Sequence, residues 1–447
     1  MEEKKRVNKM TIKSNSCIID LIRGIMEFSF LHIADLHLGR AFSDLSEINN
    51  KIDFCSQACN KAFNKIIELA IEKQVSFILI SGDSFDSDEH DLSAKLLFLK
   101  NLKLLAKKGI KSFVICGNHD SLEMYKKFKN YFNEDFEGLI NITGVTTANY
   151  KHSFSPIEGV KIHSISFKTD EGKNPTEDLP KISAGDNNFN IGLIHCDLDK
   201  TSSKYAPCSK EDLRNLGYDY YALGHIHVPQ DCGDNIIYAG TPQARTKKET
   251  GKHGCYYIKV NDKNISKEFI PTDFVRFNSQ DIDCSNYENK IEIYNAILDS
   301  VNNIEDEVEL NLFEINLIGI SKAFEELNDT DNLLEEYLEN YSQSENKNIS
   351  VYKINNKTIP LFEDYKLTSD TGVIGLIANC FEKNSEINTD KIYSDICEIH
   401  ENIYKKLKLD TDSAKTIIDS LETDKDEIIN NVKNEIKSLC NEIYSME

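Results

Sequence analysis

Short apolar segments alternate with amphipathic segments from residue 26 to residue 260, and this alternation constrains the fold more than any other feature of the sequence. Residues 28–34 and 75–80 have the length and apolar character of buried strands, whereas residues 53–73 repeat apolar side chains at helical spacing. Strands that alternate with helices and then give way to a run of short strands are typical of a layered sandwich. We therefore predict an α/β fold.

The character of the sequence changes near Pro271. Strand and helix patterns then alternate to about residue 360, including a predicted helix over 321–341, and indicate a small α+β unit. Helical patterns follow to the end of the sequence. The predicted parts are a disordered or non-native extension (1–25), the main α/β domain (26–270), the α+β unit (271–360) and a helical region (361–447).

Composition excludes two classes of protein. No run of about 18 apolar residues occurs, so we expect no transmembrane helix. In the first 25 residues Asp20 and Arg23 interrupt the apolar stretch, which argues against a signal peptide. The 12 cysteines form no CxxC pair, and scattered cysteines in a chain of 447 residues fit a reducing cytoplasm better than a disulfide framework.

The net charge of −22 is concentrated at one end of the chain. Residues 276–447 contain 37 acidic and 16 basic residues, which leaves 37 acidic and 36 basic residues in 1–275. The first part is therefore nearly neutral, and bound divalent metals would make its site positive. Solubility and docking of a partner are both open explanations for the acidic end.

Five short motifs of metal-binding residues stand out, most of them directly after a predicted strand. They are Asp35 and His37 in ADLH, Asp83 in SGDSFD, Asn118, His119 and Asp120 in GNHD, His195 after NIGLI, and His225 and His227 in GHIH. Ligands two positions apart on an extended strand end point in the same direction and can hold one metal together. Open α/β sheets gather their sites at the carboxyl ends of strands.

The residue types indicate two divalent metal ions that share one carboxylate. Imidazole mixed with carboxylate oxygen favours Mn²⁺, with Mg²⁺, Fe²⁺ and Zn²⁺ as alternatives. Two such ions can polarise a phosphoryl oxygen and activate a water molecule. Each motif alone also has a structural explanation, such as a turn for GNHD, but the order and spacing of all five favour the metal site.

The order DxH, GDxxD, GNHD, a single His and GHxH resembles the calcineurin-like metallophosphoesterase family. The resemblance implies a four-layer sandwich, with two central mixed sheets flanked by helices. It also implies that Asp35, His37 and His227 hold one ion, that Asn118, His195 and His225 hold the other, and that Asp83 bridges both. His119 would then act near the leaving group, with Asp120 orienting it.

Further segments, including LHIADLHLGR and YAGTPQAR, are similar to DNA repair exonucleases of the SbcD and YhaO type. That resemblance implies a capping domain in the α+β unit and C-terminal helices that dock an SbcC-like P-loop coiled-coil ATPase. It further implies a homodimer, with residues 53–73 as the favoured face, and Met26 as the natural start. Archaeal and eukaryotic relatives of this type have a histidine where this sequence has Asp86, so contacts made by that histidine do not carry over.

DNA contact is signalled by the basic residues after the GTPQ turn, which are Arg245, Lys247 and Lys248. No GxxxxGK[ST] motif occurs, so ATP would be used by a partner. The leading hypothesis is a metal-dependent DNA exonuclease subunit. The alternatives are a stand-alone metallophosphoesterase for small nucleotides or phosphoproteins, and a scaffold whose metal site no longer turns over.

Overall fold

The computed structural model describes residues 26–39, 52–86, 91–127, 136–168, 172–200, 202–302, 308–328 and 349–360. Among them, clustering of contacts separates two compact units. One contains residues 26–278, 308–313 and 349–352, and the other contains residues 279–302, 314–328 and 353–360. The predicted extension (1–25) and helical region (361–447) lie outside the described residues.

A first mixed sheet is built around the N-terminal strand. Its six strands, in spatial order, are β14 (Asn264–Pro271), β13 (Gly254–Asn261), β1 (Glu27–Ile33), β2 (Phe77–Ile80), β3 (Lys111–Val114) and β4 (Ile140–Ile142). Strands β1 to β4 are parallel, and β13 and β14 extend the sheet as an antiparallel hairpin. The sequence patterns missed β14, an edge strand in which half of the residues are polar and none is buried.

A second mixed sheet contains the later strands. In spatial order they are β11 (Gln230–Asp231), β12 (Ile236–Tyr238), β10 (Tyr220–Gly224), β7 (Phe189–His195), β6 (Val160–Ile165) and β5 (Lys151–Phe154). The four central strands are parallel, and β5 and β11 are antiparallel edges. Two short strands, β8 (Asp197–Leu198) and β9 (Pro207–Cys208), pair with each other outside this sheet.

The two sheets pack face to face over an aromatic core. Phe30 stacks on Phe77 with ring centroids 5.1 Å apart, and Tyr220 from the second sheet meets Phe30 edge-on at 5.3 Å. Each sheet also has an outer core, covered on the first sheet by helices α1 (Ile52–Glu72) and α2 (Leu92–Lys107) and on the second by the short helix α4 (Lys210–Arg214). The predicted four-layer sandwich is confirmed.

Local sequence accounts for the ends of α2. The Asp91 side chain accepts a hydrogen bond from the backbone N–H of Ala94 and so caps the first turn. Gly109, two residues after the helix, adopts a positive φ of 78°, a conformation that glycine tolerates at the end of a helix. Phe63 of α1 stacks on Phe98 of α2 at 5.8 Å, which fixes the two helices against the first sheet.

The remaining elements follow β14. They are β15 (Val275–Asp283), α5 (Lys290–Asn302), β16 (Leu310–Ile318), β17 (Ile320–Ser321), α6 (Phe324–Asn328), β18 (Ile349–Asn356) and β19 (Ile359–Pro360). One further short helix, α3 (Leu122–Lys127), lies between β3 and β4. Strands β15, β16 and β18 form a three-stranded sheet in that order. The predicted helix over 321–341 was wrong at its start, because Ser321 pairs in β17 and only 324–328 are helical among the described residues.

Within the part of the chain that the structure describes, no helix is both long enough and apolar enough to span a lipid bilayer.

Candidate metal centre

The five motifs meet at one end of the two sheets. Asp35 and His37 follow β1, Asp83 follows β2, and the GNHD segment follows β3. His195 is the last residue of β7, and His225 and His227 follow its neighbour β10. Because these strands are parallel within each sheet, their carboxyl ends bring all of these side chains to a common edge.

The backbone at several of these residues is not extended. The expectation that ligands two positions apart would project from an extended strand end was therefore wrong for the loop after β1. Asp35, His37 and Asp83 have positive φ values of 50°, 42° and 50°. Non-glycine residues rarely adopt this conformation, and it clusters at functional sites where surrounding contacts hold it. Here the two loops hold each other, since Asp35 N–H donates to Gly82 O at 3.1 Å and His37 N–H donates to Asp83 O at 3.0 Å.

Close packing of the loops explains two of the glycines. A Cβ atom on Gly224 would lie 2.1 Å from the carbonyl oxygen of Ser81, and one on Gly117 would lie 2.1 Å from Oδ1 of Asp83. Real Cβ atoms do not approach other atoms so closely, so only glycine permits this spacing. The two sheets can therefore place their ligands within reach of one another.

The first cluster joins Asp35, His37 and His227, whose ligand atoms lie within 4.8 Å of one another. The Nε2 atoms of His37 and His227 are 3.2 Å apart. His227 donates a hydrogen bond from Nδ1 to Oε1 of Glu249 at 2.6 Å. The Nε2 atom of the His227 ring therefore carries a lone pair, and this lone pair faces the other imidazole. A cation between the two rings would satisfy this arrangement, and a carboxylate that holds the second nitrogen is typical of metal-binding histidine.

The second cluster joins Asn118, His195 and His225. Oδ1 of Asn118 lies 2.9 Å from Nε2 of His195 and 3.0 Å from Nδ1 of His225. His195 donates from Nδ1 to the carbonyl oxygen of Ser81 at 2.8 Å, so its Nε2 also presents a lone pair. Electron pairs from oxygen and nitrogen thus converge on one point, as they do around a bound metal ion.

Asp83 lies between the two clusters. Its Oδ2 atom is 3.8 Å from Nε2 of His37 and 3.5 Å from Nε2 of His195. Its Oδ1 atom accepts the backbone N–H of His119 at 2.8 Å, which fixes the orientation of the carboxylate. The structure therefore brings all seven predicted ligands together and gives Asp83 the position of a bridge.

Burial of these groups explains why a cation fits. Asp35 is fully buried, and burial together with the neighbouring charge of Asp83 raises its pKa well above the usual range. Burial lowers the pKa of His195, and burial together with His195 lowers the pKa of His225 to about 4, so both imidazoles are neutral ligands near pH 7. Buried carboxylates and neutral imidazoles form a donor set suited to divalent ions.

His119 pairs with Asp86 rather than with the predicted Asp120. Its Nδ1 atom lies 2.8 Å from Oδ1 of Asp86, and its side chain is 36% exposed. Asp120 is fully buried and accepts backbone N–H groups of Ser84 and Gly117 at 2.6 Å. Asp86 rather than Asp120 is therefore the carboxylate beside His119, because the Asp120 side chain turns inward to the loops.

Asp120 is held in that inward position by two further hydrogen bonds. The Tyr125 hydroxyl donates to its Oδ2 atom at 2.9 Å, and the backbone N–H of Asp83 donates to its Oδ1 atom at 3.2 Å. Burial and the charge of Asp83 raise the pKa of Asp120 to about 7. Asp120 thus connects the loops after β2 and β3, which carry Asp83 and Asn118.

Two acidic residues beside the clusters were not predicted from the sequence. Glu249 orients His227, and Oδ2 of Asp197 lies 3.8 Å from Nε2 of His225. Neither has a motif spacing that relates it to the histidine it serves. Asp86 differs, because the second aspartate of SGDSFD was a visible signal.

The three residues predicted to contact DNA have different environments. Arg245 is only 2% exposed, so it does not lie on an open surface of the protein. Its backbone N–H donates to Oε2 of Glu249 at 2.7 Å. Lys247 is half-buried and Lys248 is exposed, so DNA contact by these two residues stays a prediction.

Comparisons with known proteins relate the chain to one family. The family model for calcineurin-like phosphoesterases matches residues 28–229. The uncharacterized metallophosphoesterase YhaO of Bacillus subtilis is 30% identical over 284 residues, which cover 62% of this chain and 68% of that protein. A zebrafish (Danio rerio) dimetal phosphatase structure is 12% identical, with a TM-score of 0.37 over 55% of this chain and 96% of that one.

Two archaeal relatives carry the name DNA double-strand break repair protein Mre11. The protein of Sulfurisphaera tokodaii is 29% identical over 226 residues, which cover 49% of this chain and 55% of that protein. The protein of Methanococcus maripaludis is 24% identical over 397 residues, which cover 85% of this chain and 94% of that protein.

The fold and the two ligand clusters define a metallophosphoesterase. The chain belongs to the calcineurin-like phosphoesterase family, whose members are hydrolases that act on phosphoester bonds and bind two divalent metal ions.

Proposed function

We propose that the protein is a metal-dependent DNA exonuclease that hydrolyses phosphodiester bonds with the two ligand clusters as its catalytic centre. The observation that carries the proposal is the position of Asp83 between the clusters, 3.8 Å from His37 and 3.5 Å from His195. Asp35, His37 and His227 hold one ion, and Asn118, His195 and His225 hold the other. Mn²⁺ is the proposed metal, because imidazole and carboxylate ligands are mixed.

The protein residues divide the chemistry among themselves. Two bound divalent ions supply Lewis acidity and an activated water molecule for attack on phosphorus. His119 is the proposed group beside the leaving oxygen, where it donates a proton or a hydrogen bond. Asp86 accepts from Nδ1 of His119 and so directs Nε2 of the same ring outward.

DNA is proposed as the substrate because relatives named as DNA double-strand break repair proteins are similar to this chain over 49% and 85% of its length. The net charge of residues 1–275, nearly zero before metal binding, permits a polyanion to approach the centre. Lys247 and Lys248 are proposed to contact its phosphates.

The wider organisation is also part of the proposal. Residues 26–270 would form the nuclease domain and 271–360 a capping domain. Residues 361–447 would dock an SbcC-like coiled-coil ATPase, and α1 would form a homodimer face. A cytoplasmic location is supported by the seven cysteines whose side chains the structure describes, all of which are free thiols.

The test is cleavage of labelled linear double- and single-stranded DNA in the presence of Mn²⁺, Mg²⁺ or EDTA. Wild type is compared with Asp83→Ala and His119→Ala. The matched controls are Glu211→Ala, an exposed acid on α4, and His152→Ala, an exposed histidine on β5. The assay is repeated with bis-p-nitrophenyl phosphate as a small phosphodiester.

We expect DNA cleavage that requires Mn²⁺, disappears in both site variants and persists in both controls. Hydrolysis of the small phosphodiester without DNA cleavage, even with the ATPase partner added, would favour a stand-alone phosphoesterase. Cleavage that survives Asp83→Ala would refute the proposed centre.

A further inference from the structure

Arg245 is a buried guanidinium that has no carboxylate partner among the described residues. Its side chain is 2% exposed, and its Nε and Nη1 atoms have no hydrogen-bond partner in that part of the chain. Buried charges in proteins are normally paired and hydrogen-bonded, because removing an ion from water costs several kcal/mol. An unpaired arginine in this position therefore requires an explanation.

A second buried arginine in the same unit shows the usual solution. Arg276 is 3% exposed and forms a bidentate pair with Asp273, with Nε to Oδ2 at 2.7 Å and Nη2 to Oδ1 at 2.8 Å. The described residues give Arg245 no such carboxylate. The fold thus gives one buried guanidinium hydrogen bonds to a carboxylate and leaves the Nε and Nη1 atoms of the other without an acceptor among the described residues.

Both carboxylate oxygen atoms of Glu249, an acidic residue of the same loop as Arg245, already accept hydrogen bonds from other groups. Oε1 of Glu249 accepts from Nδ1 of His227, and Oε2 accepts the backbone N–H groups of Arg245 and Thr246 at 2.7 and 3.3 Å. These bonds use the carboxylate to fix the loop and the histidine. The Nε and Nη1 donors of Arg245 are therefore left for another acceptor.

Arg245 lies close to the first cluster. The Glu249 carboxylate accepts a hydrogen bond from the Arg245 backbone N–H and another from Nδ1 of His227, so a single side chain connects Arg245 to a proposed metal ligand. A cation beside two proposed metal ions would be repelled unless an anion also entered the site.

We propose that Arg245 binds oxygen atoms of a phosphoryl group, in the substrate and in inorganic phosphate, at the side of the first cluster. A guanidinium offers a planar set of donors that matches phosphate oxygens, and the anion supplies the missing acceptors together with a further negative charge. A water molecule would supply acceptors but no charge. The inference rests on the proposed function only in requiring a phosphoryl ligand, whether or not that ligand is DNA.

The test measures binding of inorganic phosphate by calorimetry to protein loaded with Mn²⁺. Wild type is compared with Arg245→Met, Arg245→Lys and the control Arg214→Met. Arg214 is an exposed arginine that pairs with Asp234 and lies in neither cluster. The bound metal of every variant is quantified by elemental analysis, so that an effect on phosphate is separated from an effect on the ions.

We expect Arg245→Met to raise the dissociation constant for phosphate by at least about 10-fold, with unchanged metal content. Arg245→Lys keeps the charge but loses the planar donors, so its constant should lie between those of wild type and Arg245→Met. Arg214→Met should bind phosphate as wild type does.

Unchanged phosphate affinity in Arg245→Met would overturn the proposal, as would a parallel loss of metal, which would show that Arg245 supports the metal ligands rather than phosphate. If Arg245→Met does not fold, Arg245→Lys decides in the same way. Because no DNA is present, failure of the nuclease proposal and failure of this one are separate results.

Discussion

Nδ1 of His119 lies 2.8 Å from Oδ1 of Asp86. The two residues come from loops after different strands, β3 and β2, and meet beside the ligand clusters. The same Asp86 atom is 3.9 Å from Nδ1 of His37, so it stands next to both the proposed proton donor and a proposed metal ligand. This relationship gives Asp86 the positioning role that the sequence had suggested for Asp120.

Replacing Asp86 by asparagine should slow hydrolysis. The asparagine would keep the size of the side chain but remove the charge that orients the His119 ring, and loss of such a partner typically reduces activity about 10–100-fold. The measurement is kcat for bis-p-nitrophenyl phosphate with saturating Mn²⁺. Asp231→Asn, on an exposed edge strand, is the control, and equal rates in both variants would contradict the role of Asp86.

Asp120→Ala should act mainly by lowering the free energy of unfolding of the protein. It leaves buried N–H groups of Ser84 and Gly117 without an acceptor, at about 1–3 kcal/mol for each. Tyr125→Phe removes one donor to the same carboxylate and should lower the free energy of unfolding by about 1 kcal/mol. Urea unfolding checks both values, and a fully stable Asp120→Ala protein would refute this account.

Asp83→Ala should affect both metal ions, whereas His195→Ala should affect mainly one. The reason is that Asp83 lies between the clusters and His195 belongs to the second. Metal content after dialysis against limiting Mn²⁺ provides the measurement. Equal losses in the two variants would show that Asp83 does not bridge.

Glu249→Gln should weaken metal binding at the first cluster. Burial works to raise the pKa of Glu249, but hydrogen bonds from His227 and the Arg245 backbone bring it down to about 2, so it is a carboxylate at neutral pH. Glutamine would lose the charge that makes His227 a better ligand, which we expect to reduce metal affinity about 10-fold. Titration with Mn²⁺ should show one weakened site, and Glu211→Gln should show none.

Asp178 should contribute a pH-dependent part of the stability. Hydrogen bonds from Lys151, Lys173 and Tyr150 hold the pKa of this carboxyl well below its usual range. Because the folded pKa is below the unfolded value of 3.8, the stabilisation is present above about pH 4 and is lost as the pH falls through the folded pKa. Asp178→Asn should therefore cost about 1 kcal/mol at pH 7, since the group is near the surface, and less at pH 3.

Urea unfolding of metal-free wild type and Asp178→Asn at the two pH values provides the measurement. An equal difference at pH 7 and pH 3 would mean that the ionised carboxylate is not the stabilising group.

Local sequence was sufficient for much of the fold and for finding the candidate metal ligands that the structure brings together. Apolar runs such as Phe77–Ile80 become buried strands because no other backbone arrangement of that length hides them, and all seven predicted ligands follow or end such strands. The edge strand β14 escaped prediction because its polar residues face solvent and its pairing partner lies elsewhere in the chain.

The sequence by itself determined which side chains are the candidates for the chemistry, since strand ends and ligand types are local properties. Only the tertiary structure decided how they are supported. Glu249 reaches His227 across 22 residues, and Asp86 rather than Asp120 meets His119 because folded loops, not chain neighbours, set the distances. The burial of Arg245 belongs to the same class, because desolvation depends on what the rest of the chain packs around a residue.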